Sequence, residues 1–129
     1  MDERRLESIP LFASLSHHER RQVAQWADEV DIGEGERLVN QGAFAHEFFV
    51  ILEGQAEVTR EGDHLADLGP GDFFGEIALE LEDRRTATVT ATTPMKVVVM
   101  FGRDFHQMES SMPQVTEQIR KAMEERRSR

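Results

Sequence analysis

The sequence has 129 residues, the length of one domain, and its 39% hydrophobic and 31% charged composition is that of an ordinary soluble globular protein. It contains no cysteine, which excludes disulfides, thiolate catalysis, zinc fingers and cysteine-ligated iron–sulfur clusters. The formal net charge of −10 opposes binding to nucleic acids and to anionic lipid. With no apolar run near the length of about 20 residues that spans a bilayer, and no signal-peptide core, we expect a cytoplasmic protein without membrane contact.

The first thirty residues are predicted to be helical. The tetrapeptide Ser16-His17-His18-Glu19 has the pattern of a capping box, in which a serine hydroxyl and a glutamate carboxylate satisfy free backbone N–H groups. A run of apolar side chains then follows at helical spacing, namely Val23, Ala24, Ala27 and Val30. Another short apolar element, interrupted at Pro10, precedes the capping box and contains Leu6, Ile9, Leu11, Phe12 and Leu15.

From about Ile32 onwards the pattern is that of strands. Glycines recur at intervals of roughly two to twelve residues between short apolar runs, which is typical of an all-β barrel or roll. Residues 48–52 are aromatic or aliphatic and predict a buried strand, and residues 57–68 predict a hairpin. Threonine alternates with alanine and valine over residues 86–92, which predicts a strand with one apolar face.

After a last strand predicted at residues 97–101, the period becomes helical again. Phe105 and Met108 suit a short helix, and Pro113 suits the first turn of a longer one, whose apolar stripe is Val115, Ile119, Ala122 and Met123. The sequence therefore predicts one mainly β domain over residues 1–129. Its parts are an N-terminal helical segment at 1–30, a β-roll at 31–101 and C-terminal helices at 103–129.

Two stretches contain residue types that could form a binding site. They are Phe-Phe-Gly-Glu-Ile-Ala-Leu at 73–79 and Arg-Arg-Thr-Ala-Thr at 84–88. If Gly75 opens a short helix, the free N–H groups of its first turn attract an anion, and the glycine and the small Ala78 let it approach. Arg85 would add two parallel donors to phosphate oxygens. The Glu76 carboxylate would repel a phosphate unless it accepts a ribose hydroxyl. Phosphate and ribose side by side indicate a nucleotide.

These two stretches resemble the phosphate-binding cassette of cyclic-nucleotide-binding domains. Such domains occur in regulatory subunits of cAMP-dependent protein kinase, in cyclic-nucleotide-gated channels and in the bacterial catabolite activator protein. The spacing of nine positions from Glu76 to Arg85 is closer to the kinase-type cassette. With the surrounding glycines and helices, the resemblance covers roughly residues 10–127. It implies a double-stranded β-helix, or jelly roll, with N-terminal helices and C-terminal lid helices.

The resemblance also implies a set of binding residues. Glu76 would bind the ribose 2′-hydroxyl, Arg85 the cyclic phosphate, and backbone N–H groups near Ile77 and Ala78 would complete the phosphate site. The expected ligand-binding residues are Phe74, Gly75, Glu76, Ile77, Ala78, Arg85, Thr86 and Ala87. We expect cAMP rather than cGMP as the ligand. A hydroxyl at Thr86 favours cGMP in kinase-type domains, but an ordinary strand threonine is an equal alternative.

Two departures from the family pattern concern affinity. Arg84 stands where proline usually precedes the arginine, and the loop before it contains the acids Glu80, Glu82 and Asp83. These acids either pair with Arg84 or weaken the pocket for an anion. For Arg85 by itself, a structural salt bridge is the alternative role. A β-roll protein-interaction module that has lost nucleotide binding is the alternative function.

No constellation of catalytic side chains is present, so we expect a regulatory binding module and not an enzyme. A cupin-type metal site needs clustered histidines, whereas His46, His64 and His106 are isolated in sequence, so no metal is expected. Bacterial regulators of this type have a helix-turn-helix after the last helix. The residues up to Arg129 leave no room for one, so we expect no DNA binding.

The resemblance further implies that occupancy is relayed through the last helix to a partner, either an unknown effector protein or a second copy. The apolar stripe of that helix has two interpretations. In the simpler one it packs on its own domain, and in the alternative it is a face that docks a partner or a second copy. The basic residues near it are interpreted as a solvated helix face, with a surface for an acidic partner as the alternative: Arg120, Lys121, Arg126, Arg127 and Arg129.

Overall fold

The structure is a computed structural model, which describes residues 1–76 and 84–127. A 3-10 helix at Glu3–Leu6 precedes two α-helices, α1 (Pro10–Ala13) and α2 (His17–Trp26). Within the described ranges eight strands follow: β1 (Ala27–Ile32), β2 (Arg37–Val39), β3 (Glu47–Glu53), β4 (Ala56–Arg60), β5 (Asp63–Leu68), β6 (Phe73–Phe74), β7 (Thr88–Ala91) and β8 (Met95–Phe101). The last elements described are α3 (Gly102–Ser111) and α4 (Pro113–Arg127).

The strands form two antiparallel sheets of four strands each, with the orders β1-β8-β3-β6 and β2-β7-β4-β5. Helices flank this β-roll before and after it in the chain, so the predicted fold class is confirmed. The predicted hairpin is β4 and β5, which pair from Ala56↔Leu68 to Arg60↔Asp63. None of the helices in the described ranges combines the length and the apolar character that a bilayer span needs.

Helix α2 begins with the predicted capping box. The Glu19 backbone N–H donates to Ser16 Oγ at 3.1 Å, and the Ser16 backbone N–H donates to the Glu19 carboxylate at 2.9 Å. That backbone hydrogen bond stabilises the ionised carboxylate and lowers the pKa of Glu19. The start of this helix is therefore set by local chemistry.

The end of the first helical segment was predicted wrongly. Helix α2 stops at Trp26, and Ala27–Ile32 is strand β1, so the helical spacing of Ala27 and Val30 does not continue the helix to residue 30. The reason is tertiary. All six residues of β1 pair with β8, from Ala27↔Met100 to Ile32↔Met95, and this ladder outweighs a short local periodicity.

The threonine-rich strand is shorter than the predicted 86–92. Strand β7 covers Thr88–Ala91, and the apolar face is as predicted, with Val89 and Ala91 buried. Thr86 and Ala87 precede the strand in a bend because the ladder with β4 begins at Thr59↔Thr88. The residues directly after Arg85 are thus a connection and not a strand.

Strand β3 contributes to two hydrophobic cores. Phe48 and Val50 belong to the core that packs the helices against the first sheet, whereas Phe49 and Ile51 belong to the core between the two sheets. Successive side chains of a strand point to opposite faces, so a strand covered on both faces is apolar throughout. This explains the uninterrupted apolar run that the sequence shows at residues 48–52.

Helix α4 uses its apolar stripe inside its own domain. Val115 and Ile119 are buried in the helical core, and Met123 packs partly buried against it. The alternative interpretation of this stripe as a docking face is therefore wrong for Val115 and Ile119. On the solvent side, Arg120 forms ion pairs with Glu117 and Glu124 of the same helix, each at 2.6 Å, as in a solvated helix face.

Candidate nucleotide-binding site

The candidate site lies at the edge of the first sheet, where β6 pairs with β3. Phe74 lies opposite Phe49 in this ladder, and the two rings stack with centroids 4.9 Å apart. The Phe74 side chain is buried in the core between the sheets. A contact from Phe74 to a ligand therefore has to come from its main chain. The packing of this ring fixes the backbone just before Gly75 and Glu76.

Gly75 is required by its surroundings. Its φ of +97° lies in the region that side chains disfavour. A Cβ atom at this position would lie 2.8 Å from Arg85 Nη1 and 2.9 Å from the main-chain oxygen of Glu47. The glycine therefore makes space for the guanidinium of Arg85. The sequence had predicted a different reason for it, namely that an anion approaches the backbone here, and this reason stays a prediction.

Arg85 is placed by main-chain oxygens. Its Nη1 donates to the Gly75 carbonyl at 2.9 Å, and its Nη2 donates to the Glu47 carbonyl at 2.5 Å. These bonds use two of the five N–H groups of a guanidinium, which leaves donors for a further acceptor. Burial lowers the pKa of Arg85, while the nearby carboxylates of Glu47 and Glu76 raise it. An anion entering here would stabilise this buried cation.

Glu76 and Arg85 stand apart from every other charged side chain that the structure describes. They are the two charged residues buried within residues 1–76 and 84–125, with 0% of Glu76 and 5% of Arg85 exposed. Burying a charge is costly unless an opposite charge or hydrogen bonds compensate it, and such groups concentrate at functional sites. The structure thus brings together the two residues to which the sequence assigned ribose and phosphate.

Of the remaining predicted site residues, the structure describes Thr86 and Ala87. Thr86 is exposed, and its carbonyl accepts a hydrogen bond from Arg60 Nε at 3.0 Å. Ala87 is half-buried. Ile77 and Ala78 lie outside the described residues, as do the acids Glu80, Glu82 and Asp83. Their assigned roles stay predictions.

Comparison with known proteins identifies the family. The sequence model described as "Cyclic nucleotide-binding domain" matches residues 29–111, which include both cassette stretches. The chain belongs to this family.

Two known proteins are similar to this cyclic nucleotide-binding domain in sequence. A cyclic nucleotide-gated potassium channel of Rhizobium etli is 34% identical over 120 residues, which cover 93% of this chain and 34% of the channel. A cAMP-dependent protein kinase regulatory subunit of Eremothecium gossypii is 35% identical over 104 residues, covering 80% of this chain and 23% of the subunit. The chain therefore spans about a third or less of the length of these relatives.

The fold of the domain also occurs in solved structures. The regulatory subunit of a cAMP-independent protein kinase A from Trypanosoma brucei matches with a TM-score of 0.85 and 22% sequence identity. The match covers 94% of this chain and 44% of that one. A likeness at this identity shows the fold alone. The fold does not identify the ligand of this domain, which has to be inferred from site residues such as Glu76 and Arg85.

Sequence reasoning missed the main-chain groups that hold Arg85 in the domain. The Arg85 backbone N–H donates to Ala43 O at 2.7 Å, and the Gly42 N–H donates to Arg85 O at 2.9 Å. Together with Glu47 O, these groups belong to the connection between β2 and β3 and to the first residue of β3. Main-chain oxygens have no signature in residue type. The one sequence feature that pointed to this connection was the turn glycine Gly42.

His64 is isolated in the sequence, but in the structure it lies close to two carboxylates. The hairpin places it between Glu57, with Nδ1 at 3.4 Å from a carboxylate oxygen, and Asp67, with Nε2 at 3.7 Å. Ligand atoms of these three residues lie within 4.8 Å of one another, and His64 and Asp67 are exposed. Because the two ring nitrogens face different carboxylates, the arrangement fits two separate polar contacts better than one shared ion.

Substituting Gly75 tests the space that the site reserves for Arg85. We expect Gly75→Ala to destabilise the domain by about 1–3 kcal/mol more than Gly62→Ala, because the new methyl group overlaps Arg85 and Glu47 O. Gly62 is a matched control, since its φ is +82° but nothing lies within 4 Å of its added Cβ. Urea denaturation measures both free energies of unfolding. Equal losses in the two variants would contradict the steric role of Gly75.

Proposed function

We propose that this domain binds a cyclic nucleotide, cAMP in preference to cGMP, between Glu76 and Arg85, as a regulatory module and not as an enzyme. The observation that supports this proposal is the burial of these two charged side chains at one site. They are also the residues that match the family pattern for ribose and phosphate binding. The relative from Eremothecium gossypii is cAMP-dependent by name, which supports cAMP as the first ligand to test.

The chemistry of the two side chains suits the two halves of the ligand. The exocyclic oxygens of a cyclic phosphate share one negative charge, and a guanidinium offers two parallel N–H groups to such a pair of oxygens. An ionised carboxylate only accepts hydrogen bonds, so Glu76 is suited to a ribose hydroxyl. Glu76 also limits the cost of keeping Arg85 buried before the phosphate arrives.

We further propose that occupancy is relayed through the C-terminal helices to an effector protein or a second copy. Two contacts at the start of β3 support this. Arg85 Nη2 binds the Glu47 carbonyl, and the first residue of α3, Gly102, donates its N–H to the adjacent His46 carbonyl at 2.9 Å. A phosphate bound to the remaining donors of Arg85 would act through this guanidinium on the start of β3, next to the residue that holds α3. Helix α3 packs in turn on α4.

Isothermal titration calorimetry with cAMP and cGMP tests the binding proposal. We expect Arg85→Ala to weaken binding by about 2–5 kcal/mol, because the phosphate charge loses its buried partner. Arg4→Ala is the matched control and should bind like the wild type. It removes the same charge from the N-terminal 3-10 helix, where the Arg4 side chain is 81% exposed.

Arg85→Ala also leaves two main-chain oxygens without their donor, so each variant has to be checked for folding by circular dichroism and thermal unfolding. Arg85→Lys keeps the charge but loses the two-pronged geometry, and we expect an intermediate affinity. An unchanged dissociation constant in folded Arg85→Ala would contradict the role of Arg85. No heat with either nucleotide would contradict the binding proposal and favour a protein-interaction module of the same fold.

Amide hydrogen exchange tests the relay. We expect saturating cAMP to change the exchange rates of residues 113–127, because ligand occupancy alters the balance between two positions of α4. Residues 65–68 of β5, at the end of the hairpin away from Arg60 and Thr86, are the internal reference and should exchange at the same rate with and without ligand. Identical exchange of residues 113–127 in both states would overturn the relay.

A further inference from the structure

Arg84, which departs from the family pattern, forms a side-chain contact with Phe44. Its guanidinium carbon lies 4.4 Å from the centroid of the Phe44 ring, a cation–π distance. The Arg84 Nη1 donates to the Gly42 carbonyl at 3.0 Å. The main chains of Phe44 and Arg84 also form an isolated antiparallel bridge. We call this pair of side chains the Phe44–Arg84 clamp.

The clamp acts on the same backbone that holds Arg85. The Arg85 N–H donates to Ala43 O, and Arg85 O accepts from the Gly42 N–H. Two consecutive arginines are therefore fixed to three consecutive residues, one by its side chain and the next by its main chain. Among the residues that the structure describes, this part of the chain pairs with no strand beyond the one isolated bridge, and Gly42 has a φ of +85°. Regular strand pairing thus does not set its position.

We propose that Arg84 is a positioning residue for the nucleotide site, and that it acts through Phe44. By closing over the ring and binding Gly42 O, it fixes the main chain of Arg85. It thereby directs the Arg85 guanidinium toward Gly75 O and Glu47 O. A proline before Arg85 would restrict the backbone through its fixed φ. Here a side-chain contact supplies the restriction. The inference rests on the proposed function.

The geometry favours positioning over simple attraction of the anion. The Arg84 guanidinium is already engaged with a ring and a carbonyl of its own domain. Arg84 is also exposed, and solvent and salt screen an exposed charge over about 10 Å at moderate ionic strength. Phe44 is 64% exposed, so its ring contributes little to either core. Its role in this structure is the contact with Arg84.

The variants for the test are Arg84→Ala, Phe44→Leu and the double variant, with Arg4→Ala as the charge control. Phe44→Leu removes the π face, keeps an apolar side chain and leaves all charges in place. Because both residues are exposed, we expect the variants to fold, and urea denaturation verifies this for each.

The first measurement uses the ligand-free domain, so it does not depend on nucleotide binding. We expect the amides of Gly42 and Arg85 to exchange about 2- to 5-fold faster in Arg84→Ala and in Phe44→Leu, the range that corresponds to the loss of an exposed cation–π contact. The amide of Gly35 is the reference and should not change, because it donates to Ala91 O at 2.8 Å elsewhere in the roll. Unchanged exchange of Gly42 and Arg85 would overturn the inference.

The second measurement is titration calorimetry with cAMP at low and high salt. We expect each single variant to weaken binding by about 2- to 5-fold. The double variant should be no weaker than Arg84→Ala, because Phe44 acts only through the Arg84 side chain, which Arg84→Ala already removes. A loss confined to Arg84→Ala that disappears at high salt would overturn positioning in favour of charge attraction. If the wild type binds neither cAMP nor cGMP, the proposed function fails, while the exchange experiment still decides whether the clamp holds Arg85.

Discussion

The burial of two opposite charges, Glu76 and Arg85, at the edge of a sheet is the constraint on which the rest of this domain depends. A buried guanidinium needs acceptors, and the main chain supplies them at Gly75 and at Glu47. These acceptors are in reach only because residue 75 has no side chain and because the stacked ring of Phe74 fixes the strand before it. Arg85 is therefore held at a fixed position before any ligand arrives, which lowers the cost of binding an anion.

Strand β3 connects this site to the remainder of the molecule. One of its faces packs on the helices, the other packs on the second sheet, and its first residue accepts the Arg85 guanidinium. The preceding residue, His46, accepts the first N–H of α3. A change in the hydrogen bonds of Arg85 would thus act on an element that both cores and the C-terminal helices share. Packed cores transmit such a displacement because they are dense and have few alternative arrangements.

Residue types predicted part of this arrangement. The fold class, the capping box and the strand at residues 48–52 depend on side-chain chemistry and spacing, and the structure confirms them. The binding roles of Gly75, Glu76 and Arg85 stay predictions, although the two charged residues are buried as such roles require. The wrong assignment of residues 27–30 to a helix arose because β1 is specified by its pairing with β8, almost seventy residues later. The Phe44–Arg84 contact and the carbonyls around Arg85 are also long-range, and main-chain acceptors are identical in every residue. Local patterns therefore could not reveal them.

The most direct test of the central claim is the side-chain ¹H–¹⁵N NMR signal of Arg85 Nε during a titration with cAMP. If the buried guanidinium receives the cyclic phosphate, this signal should shift in a saturable manner, and the signal of Arg4 Nε in the N-terminal 3-10 helix should stay unchanged. The amide of Gly75 should follow the same binding curve, since its carbonyl binds Arg85. Saturable binding that leaves the Arg85 signal in place would contradict the account, because the phosphate would then be bound elsewhere.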